Sequence, residues 1–312
     1  MANLTVVIPT HNSAQFIGDL FECLAKQQDI AVIFVDDHSA DDTIKRVERC
    51  SKSFPFEVRL LRSRRRGPGA ARNLGVRETQ TEYVCFLDSD DTIEPQFSML
   101  VANYYREEPD IIETLFRQLD PDGSVLSKSK LSHHLTDEDR LKSLIESKIS
   151  MVSWGKVYRT SFLKEHGIAF PDGIFNGEDH IFSLHAYSKA SKVVVVPQYL
   201  YNWRRRPGSL TKAHITKRRV DDHFAITRMR IKMLQGPHNV KLRQALYLKS
   251  FKEWVQLKSE ISASTGFLPK FRSRLLLKYG LSRFKRQFPA DNDRAKFVEK
   301  KDPALFKQAQ QG

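Results

Sequence analysis

Cysteine is scarce in this 312-residue chain, which contains three, Cys23, Cys50 and Cys85, at wide spacing. An odd number of scattered cysteines does not predict a disulfide framework or a zinc site, and it favours a reducing compartment. The chain also lacks a signal peptide and any apolar run near the roughly 18 residues that a membrane-spanning helix needs. These absences predict a protein that stays in the cytoplasm.

Acidic residues are too few to balance the basic ones, because 37 Asp and Glu face 51 Lys and Arg and leave a net charge of +14. The excess lies in residues 203–312, which contain 27 basic and 8 acidic residues, whereas residues 1–202 contain 24 and 29. The hydrophobic share of 40% is enough for a large core. We therefore predict a main domain over residues 1–215 and a basic helical region over residues 216–312.

Strand and helix signals alternate along the first 90 residues. Runs rich in β-branched residues predict strands at 4–8 and 30–35, a short third strand is predicted at 58–61, and a fourth apolar run leads to Asp88. Polar loops and helix-periodic segments follow them. This order is typical of a doubly wound α/β sheet, in which ligands bind at the carboxyl ends of the strands.

Three carboxylates, Asp88, Asp90 and Asp91, crowd into four positions after that fourth apolar run. Without a positive partner they would repel one another, and burying any of them would cost several kcal/mol. Hard divalent cations such as Mg2+ or Mn2+ bind carboxylate oxygens and leave coordination positions for phosphates. The alternative is an acidic loop with an ordinary helix cap, which is the more common explanation of an isolated motif.

The acidic motif is one of six sequence blocks that together allow a more specific interpretation. In chain order the blocks are PTHNSAQFI, VDDHSADDT, GPGAARNLGV, FLDSDD, NGEDHIFSLHA and LYNWRRRPGSLT. In order and spacing they resemble the conserved blocks of family 2 glycosyltransferases, whose GT-A fold is a Rossmann-like nucleotide-diphospho-sugar transferase domain. The resemblance covers residues 1–215. It implies a nucleotide-sugar donor, usually a UDP-sugar, a divalent metal, and transfer with inversion to a hydroxyl group. GDP or dTDP donors stay open as alternatives.

The resemblance implies donor-binding roles for Pro9, Thr10, Asn12, Asp37, Arg72, Asp88, Arg204 and Ser209. Asp37 matches the acid that accepts the uracil N3 proton, although it could instead cap a helix. Arg72 matches a guanidinium near the base or ribose, and a surface Arg–Glu pair is its alternative. Arg204 and Ser209 match a lid over the diphosphate, where a solvated charge run is the alternative.

The resemblance also implies catalytic and metal-binding residues. Asp90 and Asp88 match ligands of Mn2+ or Mg2+, and a third ligand is not evident, with the candidates His185 and His214. Glu178 and Asp179 begin a predicted helix, whose dipole favours their ionised forms. Asp179 matches the general base, with Glu178 orienting it or binding the acceptor, whereas simple helix capping is the alternative. Two more residues match a segment that faces the acceptor, Trp154 and Lys156. A core tryptophan is an equally good interpretation of Trp154.

Helical patterns at 218–234, 240–261 and 270–288 account for the basic region. The last carries an apolar stripe amid Lys and Arg, which is typical of a helix lying on anionic lipid, here the inner face of the cell membrane. Ordinary packing on the rest of the protein is the alternative. No nucleic-acid-binding module is recognised, so a nucleic-acid partner is not expected. An inactive relative that assembles with a glycan-synthesis complex remains an alternative, and the sugar, the glycan, lipid-linked or wall-polymer acceptor, and the oligomeric state stay open.

Overall fold

The chain forms two compact units in a computed structural model. The structure describes residues 2–129, 137–205, 215–235, 239–263, 267–289 and 292–311, and only the backbone of residues 137–139, 267–274 and 276. The first unit comprises Met1–Leu135 and Ser150–Ser209, and the second comprises Thr136–Ile149 and Leu210–Gly312. The segment 136–149 thus belongs with the C-terminal helices, although it lies inside the range predicted for the main domain.

Strands and helices alternate through much of the first unit, whereas the described elements of the second unit are helices. In chain order the elements begin with β1 (Leu4–Thr10), α1 (Ile17–Leu24), β2 (Ile30–Asp36), α2 (Thr43–Ser51), β3 (Val58–Arg62), α3 (Pro68–Glu78), β4 (Tyr83–Phe86), β5 (Thr92–Ile93), α4 (Phe97–Ala102), β6 (Ile111–Leu119) and β7 (Val125–Lys128). They continue with α5 (Asp137–Ile145), β8 (Lys156–Arg159), α6 (Thr160–Glu165), α7 (Glu178–Lys189), β9 (Val193–Arg204), α8 (Lys217–Met233), α9 (Val240–Ser262), α10 (Phe267–Gln287), α11 (Asp293–Lys301) and α12 (Pro303–Gln310).

One mixed sheet runs through the described part of the first unit, in the order β3-β2-β1-β4-β8-β6-β9-β5, with β7 paired to β6. The four strands predicted from the sequence, β1 to β4, pair in parallel. Strand β8 runs antiparallel to both β4 and β6, and β9 is parallel to β6. The carboxyl ends of β1 to β4 therefore lie side by side, and we call this border the carboxyl edge.

The centre of the sheet explains why the apolar runs predicted strands so well. Val6, Val7 and Ile8 in β1 are completely buried, because β2 and β4 flank this strand and helices cover its faces. Helix α3 approaches β1 so closely that a Cβ atom on Gly75 would lie 2.2 Å from Cγ1 of Val7. Close packing of α3 brings its first turn to the carboxyl edge.

Replacement of Gly75 by alanine is expected to lower the free energy of unfolding by about 1–3 kcal/mol, the usual cost of overpacking a core. A matched control is Gly18→Ala in α1, where a Cβ would meet no atom within 4 Å. Alanine there is expected to be neutral or stabilising by up to about 1 kcal/mol. Urea unfolding followed by circular dichroism measures both, and equal midpoints for the two variants would contradict the packing argument.

Aromatic side chains form the centre of the second unit, where helix α10 packs on α9. Phe284 is fully buried and its ring lies 5.7 Å from that of Trp254, and Phe288 lies 5.0 Å from Phe251. The prediction that this stripe of α10 faces lipid is therefore wrong for its two phenylalanines, because they face the helical core. Among the described helices, none combines the length and apolar character needed to cross a membrane.

Candidate active site

Asp37 follows β2 and has one carboxylate oxygen available at the carboxyl edge. Its backbone N–H donates to the carbonyl of Thr10 (2.7 Å), and its Oδ2 accepts from the backbone N–H of Gly67 (2.8 Å). Gly67 has φ of +113°, which favours glycine there. The buried Oδ1 atom of Asp37 has no hydrogen-bond partner among the described residues. A ligand N–H placed at this edge would satisfy it.

The other predicted donor residues near β1 have clear local roles. Thr10 is buried, with its hydroxyl 3.5 Å from the carbonyl of Val35, and Pro9 is half-buried beside it. Asn12 is exposed with φ of +49°, and its Oδ1 accepts from the backbone N–H of Ala40 (2.8 Å). These bonds fix the loops after β1 and β2 against each other.

The acidic loop after β4 brings three carboxylates together, with ligand atoms of Asp88, Asp90 and Asp91 all within 4.8 Å of one another. Asp91 is almost fully buried, and it accepts hydrogen bonds from the hydroxyl of Tyr201 (2.7 Å) and the backbone N–H of Arg204 (2.8 Å). Burial and the charge of Asp88 raise the pKa of Asp91. Asp91 therefore anchors the loop to β9, and Asp88 and Asp90 are the half-buried members that remain at its surface.

Arg204 lies against this acidic loop. Its Nε atom donates to the carbonyl of Asp90 (2.6 Å), and its Nη1 atom donates to Asp19 (3.3 Å). The predicted lid partner Ser209 and the metal-ligand candidate His214 lie outside the described residues. His185 is not part of the acidic cluster found among the described residues, and burial followed by the charge of Lys189 lowers its pKa.

Arg72 connects the acidic loop to the predicted base. Only 4% of its side chain is exposed, and it donates to Asp88 (2.7 Å) and Glu178 (2.8 Å) and lies 3.6 Å from Asp179. Although burial opposes its charge, the three carboxylates raise the pKa of Arg72 well above its usual value. These contacts exclude the alternative that Arg72 forms a surface Arg–Glu pair. The guanidinium of Arg72 lies buried between the three carboxylates.

The acid pair itself starts helix α7. Gly177 precedes it with φ of +83°, so Glu178 and Asp179 occupy the first helical turn. Burial raises the pKa of both carboxyl groups, and mutual repulsion adds to the increase at Glu178, whereas Arg72 opposes it. A partly buried carboxylate with a raised pKa is a better proton acceptor than a solvated one.

Glycine at position 69 allows the first turns of α3 and α7 to meet. A Cβ atom there would lie 2.9 Å from Cβ of Phe170 and 3.3 Å from Cγ of Glu178. Nearby, the side-chain amide of Asn73 donates to the carbonyl of Phe170 and accepts from its N–H, both at 2.9 Å. Sequence reasoning missed this role of Gly69 and Asn73, which is to fix the segment that delivers the acid pair.

Lys156 and Trp154 lie inside the first unit. The ammonium of Lys156, 2% exposed, donates to the carbonyls of Val152 (2.8 Å) and Ser150 (3.2 Å), and burial lowers its pKa. Trp154 stacks on Tyr201 with ring centroids 4.6 Å apart. The structure thus places both side chains in the core, where Lys156 holds the 150–153 loop and Trp154 packs on β9.

Comparison with solved structures identifies the fold. The crystal structure of Staphylococcus aureus TarS residues 1–349 superposes with a TM-score of 0.72 at 22% identity, covering 99% of this chain and 87% of that one. Its complex with UDP-GlcNAc gives 0.67 at 22% identity, covering 97% and 92%. A mannosyltransferase from Pyrobaculum calidifontis, solved with GDP-Man and Mn2+, gives 0.58 at 18% identity, covering 98% and 85%. These likenesses show the α/β GT-A fold that the sequence predicted.

Sequence comparison gives the family. The family model of Glycosyl transferase family 2 matches residues 5–167, and the chain belongs to that family of enzymes. Poly(ribitol-phosphate) beta-N-acetylglucosaminyltransferase TarS of S. aureus (strain Mu50) is 28% identical over 280 residues, 87% of this chain. Poly(ribitol-phosphate) beta-glucosyltransferase of Bacillus spizizenii is 32% identical over 204 residues, 64% of this chain. The chain spans only 47% and 31% of the lengths of these two relatives.

Proposed function

We propose that this protein transfers a sugar from a UDP-sugar to a hydroxyl of a glycan, lipid-linked glycan or wall polymer, with inversion at the anomeric carbon. The observation that carries the proposal is the position of Arg72, which bridges the acidic loop at the carboxyl edge and the acid pair of α7. Donor and acceptor chemistry would thereby take place within a single ion-pair network.

The donor base would lie against Asp37. Its partnerless Oδ1 atom suits an imino N–H such as N3 of uracil. Thymine offers the same N–H, so dTDP would fit equally well, whereas guanine would have to present a different edge. The complexes of the relative TarS with UDP and UDP-GlcNAc favour uracil.

A divalent cation would be held by Asp90 and Asp88. Their adjacent carboxylates form a donor set of hard oxygen atoms, which fits Mn2+ or Mg2+. The cation would stabilise the charge that develops on the leaving nucleoside diphosphate. Arg72 donates a hydrogen bond to Oδ1 of Asp88. This bond orients the carboxylate of Asp88 before any ligand binds.

Asp179 would remove the proton from the attacking acceptor hydroxyl. Inverting transfer needs one base on the face opposite the leaving group, and a carboxylate suffices. Glu178, which binds Arg72 directly, would orient this base. Because the pKa of Asp179 is raised, transfer is expected to fail as pH falls through a value above the usual aspartate range.

The names of the relatives support the choice of an acceptor class. TarS and the B. spizizenii enzyme are both described as acting on poly(ribitol-phosphate). A wall polymer of this kind presents many hydroxyl groups on a negatively charged backbone. We therefore place polyol-phosphate polymers first among the acceptors to test.

Thermal unfolding with nucleotides tests the donor site. UDP with Mn2+ at about 100 times its dissociation constant is expected to stabilise the fold by about 2.7 kcal/mol and to raise the melting temperature by roughly 5 °C. EDTA should reduce the increase. CDP is the matched control, because N3 of cytosine accepts a hydrogen bond and cannot donate to Asp37. No shift with any nucleotide would favour an inactive assembly protein.

A further inference from the structure

Four arginines lie at the end of β3 and directly after it, at positions 62, 64, 65 and 66, and all four are exposed. We call this segment, residues 62–66, the arginine loop. Arg65 forms an ion pair with Asp172. The side chains of Arg62, Arg64 and Arg66 have no hydrogen bond or ion pair with any residue in the described ranges. Three guanidinium groups with fifteen potential N–H donors therefore face solvent.

The exposed arginine side chains of the arginine loop are expected to contribute little to the stability of the fold. Neighbouring like charges repel, and the single exposed pair of Arg65 contributes little. The loop also contrasts with its surroundings, because residues 1–202 carry 24 basic and 29 acidic residues. A concentrated positive patch on an acidic part of the chain indicates attraction to an anion.

The position of the loop connects it to the active site. On the side of β2, the backbone N–H of Ser63 donates to the carbonyl of Asp36 (2.8 Å). Directly after the loop, the backbone N–H of Gly67 donates to the carboxylate of Asp37. On its other side, Arg65 pairs with Asp172, and the ring of Phe175 lies 3.5 Å from the Cβ position of Gly67. The loop therefore lies between the candidate donor pocket and segment 170–178, which leads to the acid pair.

We propose that the arginine loop binds the phosphodiester backbone of an anionic acceptor polymer and so delivers its hydroxyl groups to Asp179. This inference rests on the proposed function. Guanidinium groups bind phosphate oxygens through two parallel N–H bonds, and three of them spread over five residues fit successive phosphates of an extended chain. A neutral glycan would gain nothing from this patch.

The test uses soluble, end-labelled poly(ribitol phosphate) and follows its binding by fluorescence anisotropy over a range of salt concentrations. Arg62→Gln, Arg64→Gln and Arg66→Gln combined are expected to weaken binding on the order of tenfold at low salt. The slope of log affinity against log salt should fall by about 2, given a slope of roughly 0.7 per neutralised phosphate on a single strand. Melting-temperature shifts with UDP and Mn2+ should be unchanged.

A matched control removes three basic residues at the opposite edge of the sheet. Lys26, Lys52 and Arg106 are exposed and precede β2, β3 and β6. Their combined change to glutamine alters the net charge equally and is expected to preserve polymer binding.

Several results would overturn the inference. These are unchanged polymer affinity in the loop variant, equal weakening in the control variant, and tighter binding of a single-stranded oligonucleotide with the same number of phosphates. Loss of the UDP-dependent shift in the loop variant would also overturn it, because the arginines would then serve the donor. A wild-type protein without any UDP shift would instead contradict the proposed function, so the two failures are distinguishable.

Discussion

Replacement of Asp179 by asparagine is expected to lower the turnover of sugar transfer by a factor of about 10²–10⁴, the usual contribution of a positioned general base. The amide is nearly isosteric with the carboxylate but cannot accept a proton at neutral pH. Asp179 lies 3.6 Å from Arg72, whereas the donor base would lie against Asp37 and the cation against Asp90 and Asp88. UDP should therefore still raise the melting temperature of the variant. Initial rates with saturating donor and acceptor measure the effect.

The matched control is Asp293→Asn, since Asp293 also stands in the first turn of a helix, α11 in the second unit. It is expected to retain full turnover. If Asp179→Asn kept near wild-type turnover with a folded circular dichroism spectrum, Asp179 would not be the base.

Replacement of Arg72 by methionine is expected to destabilise the protein by about 3–5 kcal/mol, the cost of leaving buried carboxylates without their cation. It should also change the pH dependence of transfer. Arg72 favours the ionised form of Asp179 and so opposes the increase in its pKa that burial causes. Without Arg72 that pKa rises further, and the acidic limb of the kcat/KM profile should move to higher pH.

Two companion variants separate folding from catalysis. Arg72→Lys keeps the charge but lacks the planar fork that pairs with Asp88 and Glu178 through separate nitrogens, so a smaller shift of the acidic limb is expected in a protein that still folds. Arg77 is exposed in the last turn of the same helix, α3. Its replacement by methionine is therefore expected to change the free energy of unfolding by less than about 0.5 kcal/mol. An acidic limb that does not move in Arg72→Lys would show that the guanidinium does not tune the base.

The parts of the fold that the sequence predicts correctly are those governed by local patterns. The β-branched run of β1 and the apolar run before Asp88 each identify a buried parallel strand, because such strands are apolar on both faces. The acidic loop was recognisable for the same reason, since its three carboxylates are close in sequence. Their crowding in the structure follows from that spacing.

Contacts between distant residues explain what the sequence does not predict. Arg72 and Glu178 are 106 positions apart, so nothing local indicates that one buried cation joins the acidic loop to α7. Lys156, the first residue of β8, carries a charge that suggests exposure, yet its buried ammonium donates to the backbone carbonyls of Ser150 and Val152. The apolar stripe of α10 fits lipid and a helical core equally well, and only its contact with α9 distinguishes the two.

Helix α5 packs in the second unit, although in sequence it lies between the two segments of the first unit. The chain leaves the first unit near residue 135, contributes Leu144 and Ile145 to the packing against α9, and returns near residue 150. A fragment that ends at residue 215 would retain α5 but lose α9, leaving these two fully buried side chains uncovered. A ribosome likewise releases α5 about 100 residues before its partner helix, so this part of the nascent chain must wait for the C-terminal helices to complete its packing.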